Sequence, residues 1–204
     1  MNRHFFRQLV DEADPAALVE HSTINHHVDG MDYLCLHRSP KLTAKLYFID
    51  PARMTKKPGD FLVTPHSHRY AFETVVLAGG IDHVRFNAPA GSGWERFEYR
   101  PETRALDRQG TRDLCPNVDY HASSYPNHNH YWVGANEVHT LLVPKRAVLL
   151  GLVQFSDTRE TSDLFIRTKD EGRLEYPISR RPTEAEAAEF ICRAKYAIHN
   201  QELK

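Results

Sequence analysis

Hydrophobic and polar residues change their period twice along this chain. Phe5, Phe6, Leu9 and Val10 recur at helical spacing, and Asp14-Pro15 then marks a second helix start leading into residues 16–20. From about residue 30 the period shortens to two. Leu42, Ala44, Leu46 and Phe48 alternate with Lys41, Thr43, Lys45 and Tyr47, the signature of a half-buried strand stopped by Asp50-Pro51. Further short strands are expected over 61–64, 73–77, 82–86, 94–99, 130–133, 138–143 and 147–155. Turn residues such as Pro58-Gly59, Gly79-Gly80 and Gly134-Ala135-Asn136 separate many of them. Helical spacing returns near the C-terminus. Thr183-Glu184-Ala185-Glu186 forms a capping box, and Ala187, Ile191, Ala194 and Ile198 make one apolar stripe.

Many short strands with regular turns predict an all-β sandwich or barrel. The expected organisation is one domain over 1–204: an N-terminal helical segment (1–29), a β-barrel (30–155), and a covering segment with a C-terminal helix (156–204). The terminal helix is expected on the outside of the barrel. Residues 156–179 are polar apart from Leu164-Phe165-Ile166, and are expected over the barrel mouth or along its flank.

Composition narrows the function classes. With 26 basic and 27 acidic residues the formal charge is -1, which argues against a nucleic-acid protein that relies on basic charge. Mean hydropathy is -0.56 and no long apolar run is present, so no membrane span is expected. Cys35, Cys115 and Cys192 are far apart and odd in number, which suits a reducing, cytoplasmic setting. The first residues carry no apolar core of signal-peptide length. The unusual count is 13 histidines. Metal binding, acid–base chemistry and pH sensing are the candidate reasons.

Two segments concentrate that chemistry. Gly59 to Gly80 contains His66-Ser67-His68 followed by Glu73. Two histidines two residues apart on a strand share a face, so both rings can reach one ion. Residues 131–140 form a strand, a tight turn and a strand that carries His139 near its start. Three histidines and one glutamate offer a nitrogen- and oxygen-rich site for Fe, Mn, Ni, Zn or Cu.

These segments resemble the motifs of the cupin superfamily. The first family motif is Gly, then His-x-His, four residues, Glu, six residues and Gly. His66, His68, Glu73 and Gly80 match it, and Gly59 lies one residue too far upstream. In the second motif Gly134, Asn136 and His139 take the family's places, and Val143 stands where the family has Asn. The resemblance spans about residues 59–143. It implies a double-stranded β-helix (a cupin jelly-roll barrel) with metal ligation by His66, His68, Glu73 and His139. It also implies a homodimer paired through barrel edges.

Several residues keep two readings. Glu73 is a fourth ligand or a base beside the other three. Arg69 and Tyr70 directly follow the His pair. One of them reaches the cavity to bind a substrate carboxylate, or both are solvated turn residues. Tyr47, His83, Arg85 and Gln154 sit on strands whose inward parity the sequence does not assign. His128 and His130 are read as a polar hairpin or pocket rim. His26-His27, His21 and His37 are read as surface or loop residues.

The expected function is a mononuclear non-haem Fe(II) dioxygenase or oxygenase. It would use O₂ on a small polar substrate: an amino acid, a thiol or an organic acid. The Ser-His-Tyr relay of thiol dioxygenases does not follow His139. The alternatives are a cupin isomerase or lyase that uses Zn, Mn or Ni as a Lewis acid, and a non-catalytic ligand-binding cupin.

Overall fold

The computed structural model describes residues 2–87, 90–103, 105–125, 129–168 and 178–200. Helix α1 (Arg3–Asp11) begins behind Asn2, whose side chain accepts from the Phe5 N–H at 3.2 Å. Helix α2 (Pro15–Leu18) begins behind Asp14, with proline in its first turn, where a missing N–H costs nothing. Among the described residues eleven strands follow: β1 (Met31–Arg38), β2 (Leu42–Ile49), β3 (Tyr70–Ala78), β4 (Gly80–Asn87), β5 (Ala90–Arg100), β6 (Ala105–Arg112), β7 (Cys115–Ser123), β8 (His130–Val133), β9 (Val138–Leu141), β10 (Val148–Asp157) and β11 (Ser162–Arg167). Helix α3 (Glu184–Asn200) comes last.

The strands form antiparallel sheets. The first has the order β1-β2-β10-β3-β8. The second is built from two three-stranded pieces, β7-β4-β9 and β11-β5-β6. Residues 61–66 join those pieces: Phe61 bridges Leu142, and His66 bridges both His139 on β9 and Leu164 on β11. Ile49, Val76, Val148 and Leu150 of the first sheet pack with Leu62, Ile81, Ala122 and Leu141 of the second. That cluster is the interior of a barrel, as the strand pattern predicts, and of the jelly-roll type that the motif resemblance implies.

The other face of the first sheet is covered by helices. Leu34, Leu46, Phe48, Val75, Leu77 and Leu149 pack there with Phe6 and Val10 of α1 and Phe190, Ile191, Ala194 and Ile198 of α3. The predicted capping box is present: the Glu186 N–H donates to Thr183 Oγ1 at 3.2 Å, and the Thr183 N–H donates to the Glu186 carboxylate at 2.8 Å. Phe6 lies on Gly151 of β10, where a Cβ would come within 2.5 Å of its ring. Glycine at 151 is therefore a packing requirement for α1.

Four strands depart from the sequence pattern. β1 is buried on both faces over much of its length, so alternation does not reveal it. β6 is mostly exposed, and its pairing with β5 defines it rather than an apolar face. β7 also has no strand in the predicted set. β11 pairs with β5 and places the Leu164–Ile166 cluster in the second sheet, while residues 169–177 of the expected covering segment lie outside the described residues. The strand expected at 61–64 is an irregular run instead. From Phe61 to His66 it advances two residues more than its partner does from Leu142 to His139, and such a bulge breaks a regular ladder.

Replacing Phe6 by alanine removes a ring with no exposed surface. We expect a loss of about 3–5 kcal/mol in unfolding free energy, read from urea titrations monitored by circular dichroism. An unchanged midpoint would mean that α1 does not anchor the helical layer.

Candidate metal centre

The centre is assembled on a crossing of backbone segments. The His66 N–H donates to the His139 carbonyl at 3.1 Å, and the His139 N–H donates back to the His66 carbonyl at 3.0 Å. This is a hydrogen-bonded antiparallel pair, so residues remote in sequence sit side by side. The flanking bonds hold the segment from both sides: Ser67 N–H to the Asp163 carbonyl at 2.9 Å, and His68 N–H to the Ala135 carbonyl at 3.2 Å. Ser67 faces away, its Oγ accepting from the Asp163 N–H at 2.9 Å. His66 and His68 therefore project to one side, as their spacing predicts.

Each of the three histidines offers one nitrogen, and these atoms all lie within 4.8 Å of one another. His68 Nε2 and His139 Nε2 are 2.9 Å apart. Metal–nitrogen bonds of about 2.0–2.1 Å bring neighbouring ligand atoms about 3 Å apart, so the set fits one ion after small ring adjustments. The outer nitrogens are already engaged. His66 Nδ1 donates to the Thr64 carbonyl at 2.8 Å, which leaves the Nε2 lone pair free to bind. His139 Nδ1 meets His83 Nε2 at 3.1 Å, and the buried His83 ring stacks on Tyr131 at 4.5 Å. Such supports fix the orientation and tautomer of a ligating imidazole.

Protonation also suits the site. Burial holds the His68 and His139 rings well below the usual histidine range, with the neighbouring histidines adding to the effect. Burial lowers His66 as well, opposed by its bond to Thr64. At neutral pH all three rings are neutral and carry lone pairs.

The other predicted residues divide. Glu73 is not brought to the three histidines. On β3, Phe72 and Val76 belong to the barrel interior, whereas Val75 and Leu77 face the helices. The strand period of two places Glu73 with the latter, in register with Val153 on β10 and Trp132 on β8. Arg69 is also turned away, held by Glu102 at 3.2 Å and Asp157 at 3.0 Å. Tyr70 does reach the cavity, its ring 5.1 Å from that of His68. His130 is exposed on β8, and His128 lies outside the described residues.

Several cavity groups escaped the sequence pattern. His26 and His27, expected at the surface or in a loop, lie beside the centre, with the His27 ring 6.2 Å from His66. The left-handed turn at Asn25 (φ 55°) and His27 (φ 68°) puts them there. Buried Asp32 fastens that turn by accepting from the Asn25 N–H at 2.8 Å and pairing with Arg53. An asparagine ahead of Asp29-Gly30 was the available signal, since asparagine tolerates this conformation. His27 is exposed at the rim, yet desolvation by the surrounding groups, together with His66 and Lys45, pulls its pKa down to about 4. Tyr33, Lys45 and Tyr47 complete the wall: Tyr33 lies 5.4 Å from Tyr47, and the Lys45 ammonium lies 5.0 Å from the Tyr33 ring. Among the described residues no helix is long and apolar enough to cross a membrane.

No protein-family model matches the chain, and no curated protein matches it. Solved structures that it resembles are cupin proteins and related enzymes. An RmlC-like cupin from Shewanella frigidimarina is 14% identical, with 68% of this chain and 87% of that one covered and a TM-score of 0.35. The hydroxypropylphosphonic acid epoxidase of S. wedmorenis is 16% identical, with 68% and 57% covered and a TM-score of 0.35. The DMSP lyase DddQ of Ruegeria pomeroyi is 15% identical, with 71% and 54% covered and a TM-score of 0.37. The chain thus spans little more than half the length of the epoxidase and the lyase.

The lowered histidines set a pH dependence. Unfolded histidine titrates near 6.5, while His68 and His139 resist protonation in the fold. As pH drops through about 6.5 the unfolded chain binds protons that the folded chain refuses, so stability falls. Urea midpoints of metal-stripped protein should decrease from pH 7 to pH 5, with a shallower decrease for His139→Asn. Parallel curves would contradict this assignment.

Proposed function

We propose that the chain is a mononuclear non-haem iron enzyme that uses O₂ to oxidise a small polar substrate, with the ion held by His66, His68 and His139. The observation that carries this reading is a donor set of three neutral imidazoles that Glu73 does not join. Held by the neutral rings of His66, His68 and His139, an iron(II) ion would retain its double positive charge and would supply the redox chemistry that activates O₂. A firm carboxylate ligand would have favoured the Lewis-acid isomerase or lyase reading.

The chain's own groups then have definite tasks. The Thr64 carbonyl and His83 hold the rings of His66 and His139 in ligating orientation. Phe72 packs its ring against His68 at 4.9 Å and His139 at 5.4 Å, which keeps water from one side of the centre. Burial raises the phenols of both Tyr47 and Tyr70 above the ordinary tyrosine value, so both remain protonated and can donate to a bound substrate oxygen.

Metal analysis of protein purified without a histidine tag tests the reading. We expect about one ion per chain, a small fraction of that in His66→Ala and His139→Ala, and an unchanged content in Glu73→Gln. His83→Ala should weaken metal affinity by about 10–100-fold, because it leaves the His139 ring unsupported. Iron-loaded protein should consume O₂ with an amino acid, a thiol or an organic acid. Full metal content in His66→Ala would overturn the centre. Stoichiometric zinc or manganese with no O₂ uptake would overturn the oxygenase assignment.

A further inference from the structure

Lys45 occupies an inward position on β2, between Tyr47 and Thr43. Its neighbours in the strand, Ala44 and Leu46, face the helices, so the period of two directs the ammonium into the barrel. Cys35 lies opposite on β1 and Leu152 opposite on β10, and neither is a carboxylate. Among the described residues Lys45 forms no salt bridge and no hydrogen bond; its ammonium lies 5.0 Å from the Tyr33 ring, with the Cys35 thiol also within electrostatic reach. The Tyr47 and Tyr70 hydroxyls likewise have no hydrogen-bond partner among the described residues. Desolvation lowers the Lys45 ammonium to about 8, so at neutral pH it keeps most of its charge. A half-buried cation without a counter-ion is an unfavourable arrangement unless something else supplies the anion.

The position of Lys45 relative to the centre matters. Its charge opposes protonation of His26, His27 and His68, so it lies within electrostatic reach of one ligating ring, His68, and of the two histidines beside the centre.

We infer that Lys45, with the hydroxyls of Tyr47 and Tyr70, forms an oxyanion subsite for a carboxylate on the substrate, while another polar group of the same molecule faces the three histidines. This rests on the metal-centre reading and restricts its substrate class to small organic acids. The tyrosines donate hydrogen bonds, and Lys45 supplies the charge that the tyrosines lack. Arg69, the other cation near the His pair, is committed to Glu102 and Asp157 and does not serve this subsite.

The test compares three ligands of equal length: 3-hydroxypropionate, 3-hydroxypropionamide and 1,3-propanediol. Each is titrated calorimetrically into metal-loaded and metal-stripped full-length protein, with metal content measured on the same samples. We expect the carboxylate to bind at least about tenfold tighter than the amide or the diol. Lys45→Met keeps the side-chain length and should abolish that preference at unchanged metal content, while Lys45→Arg should retain most of it. Tyr47→Phe removes one donor and should narrow the preference, which gives a second reading if Lys45→Met fails to fold. Equal affinities in the wild type, or a preference that survives in folded Lys45→Met, would overturn the subsite. Stoichiometric metal with no carboxylate preference defeats the subsite alone. A Lys45-dependent preference in protein that holds no metal defeats the metal centre alone.

Discussion

The two backbone hydrogen bonds exchanged by His66 and His139 are the constraint on which the rest of the centre depends. They bring together residues more than seventy positions apart in sequence and set the separation of their side chains. The same contact joins the pieces of the second sheet, because His66 also bridges to Leu164. Fold closure and ligand placement are therefore one event. A bulged run rather than a regular strand makes this crossing. It leaves His66 and His68 on one side and gives Ser67 its own bonds to the backbone of β11 and to Arg159.

Around that crossing the barrel separates two environments. Outside the first sheet, helices α1 and α3 bury an apolar layer. Inside, the same strands present Tyr33, Lys45, Tyr47 and Phe72 toward the histidines. Each strand carries both programmes because its side chains alternate. The apolar outer layer holds the strands in register, and register in turn fixes which polar groups meet inside. Burial does further work on the inner groups. It keeps the histidines neutral and the tyrosines protonated, so one wall presents lone pairs while another presents hydroxyl hydrogens.

The segment at 22–30 shows how loop geometry enlarges the site. Asp32 is buried and paired with Arg53, and it fixes a turn that contains two residues in the left-handed region. The strain of that backbone is supported by the hydrogen bonds of Asn25 and Gly30. The result places His26 against Tyr33, with ring centroids 4.8 Å apart, and His27 at the rim. Local sequence near these histidines looks like an ordinary polar loop, and only the Asp32–Arg53 contact reveals its direction.

The chain's residue order alone determined the class of the fold and the identity of three candidate ligands. Alternation over 42–48, the turn residues between strands, the capping box at Thr183 and the His66, His68 and His139 spacing are local properties, and local physics makes them legible. Strand β1, buried on both faces, and β6, exposed on both, lack the contrast that alternation needs, so only pairing defines them. Glu73 shows the same limit at the site. Its spacing from His68 fits a ligand, but β3 starts at Tyr70, and the parity counted from there turns the carboxylate to the helices. Arg69 and Tyr70, adjacent in sequence, part for a similar reason, one toward acidic partners and the other toward His68. The inward wall of Lys45 and the tyrosines was decided only by tertiary structure, because which face of a strand meets the cavity depends on register, and register is set by partners far away in the chain.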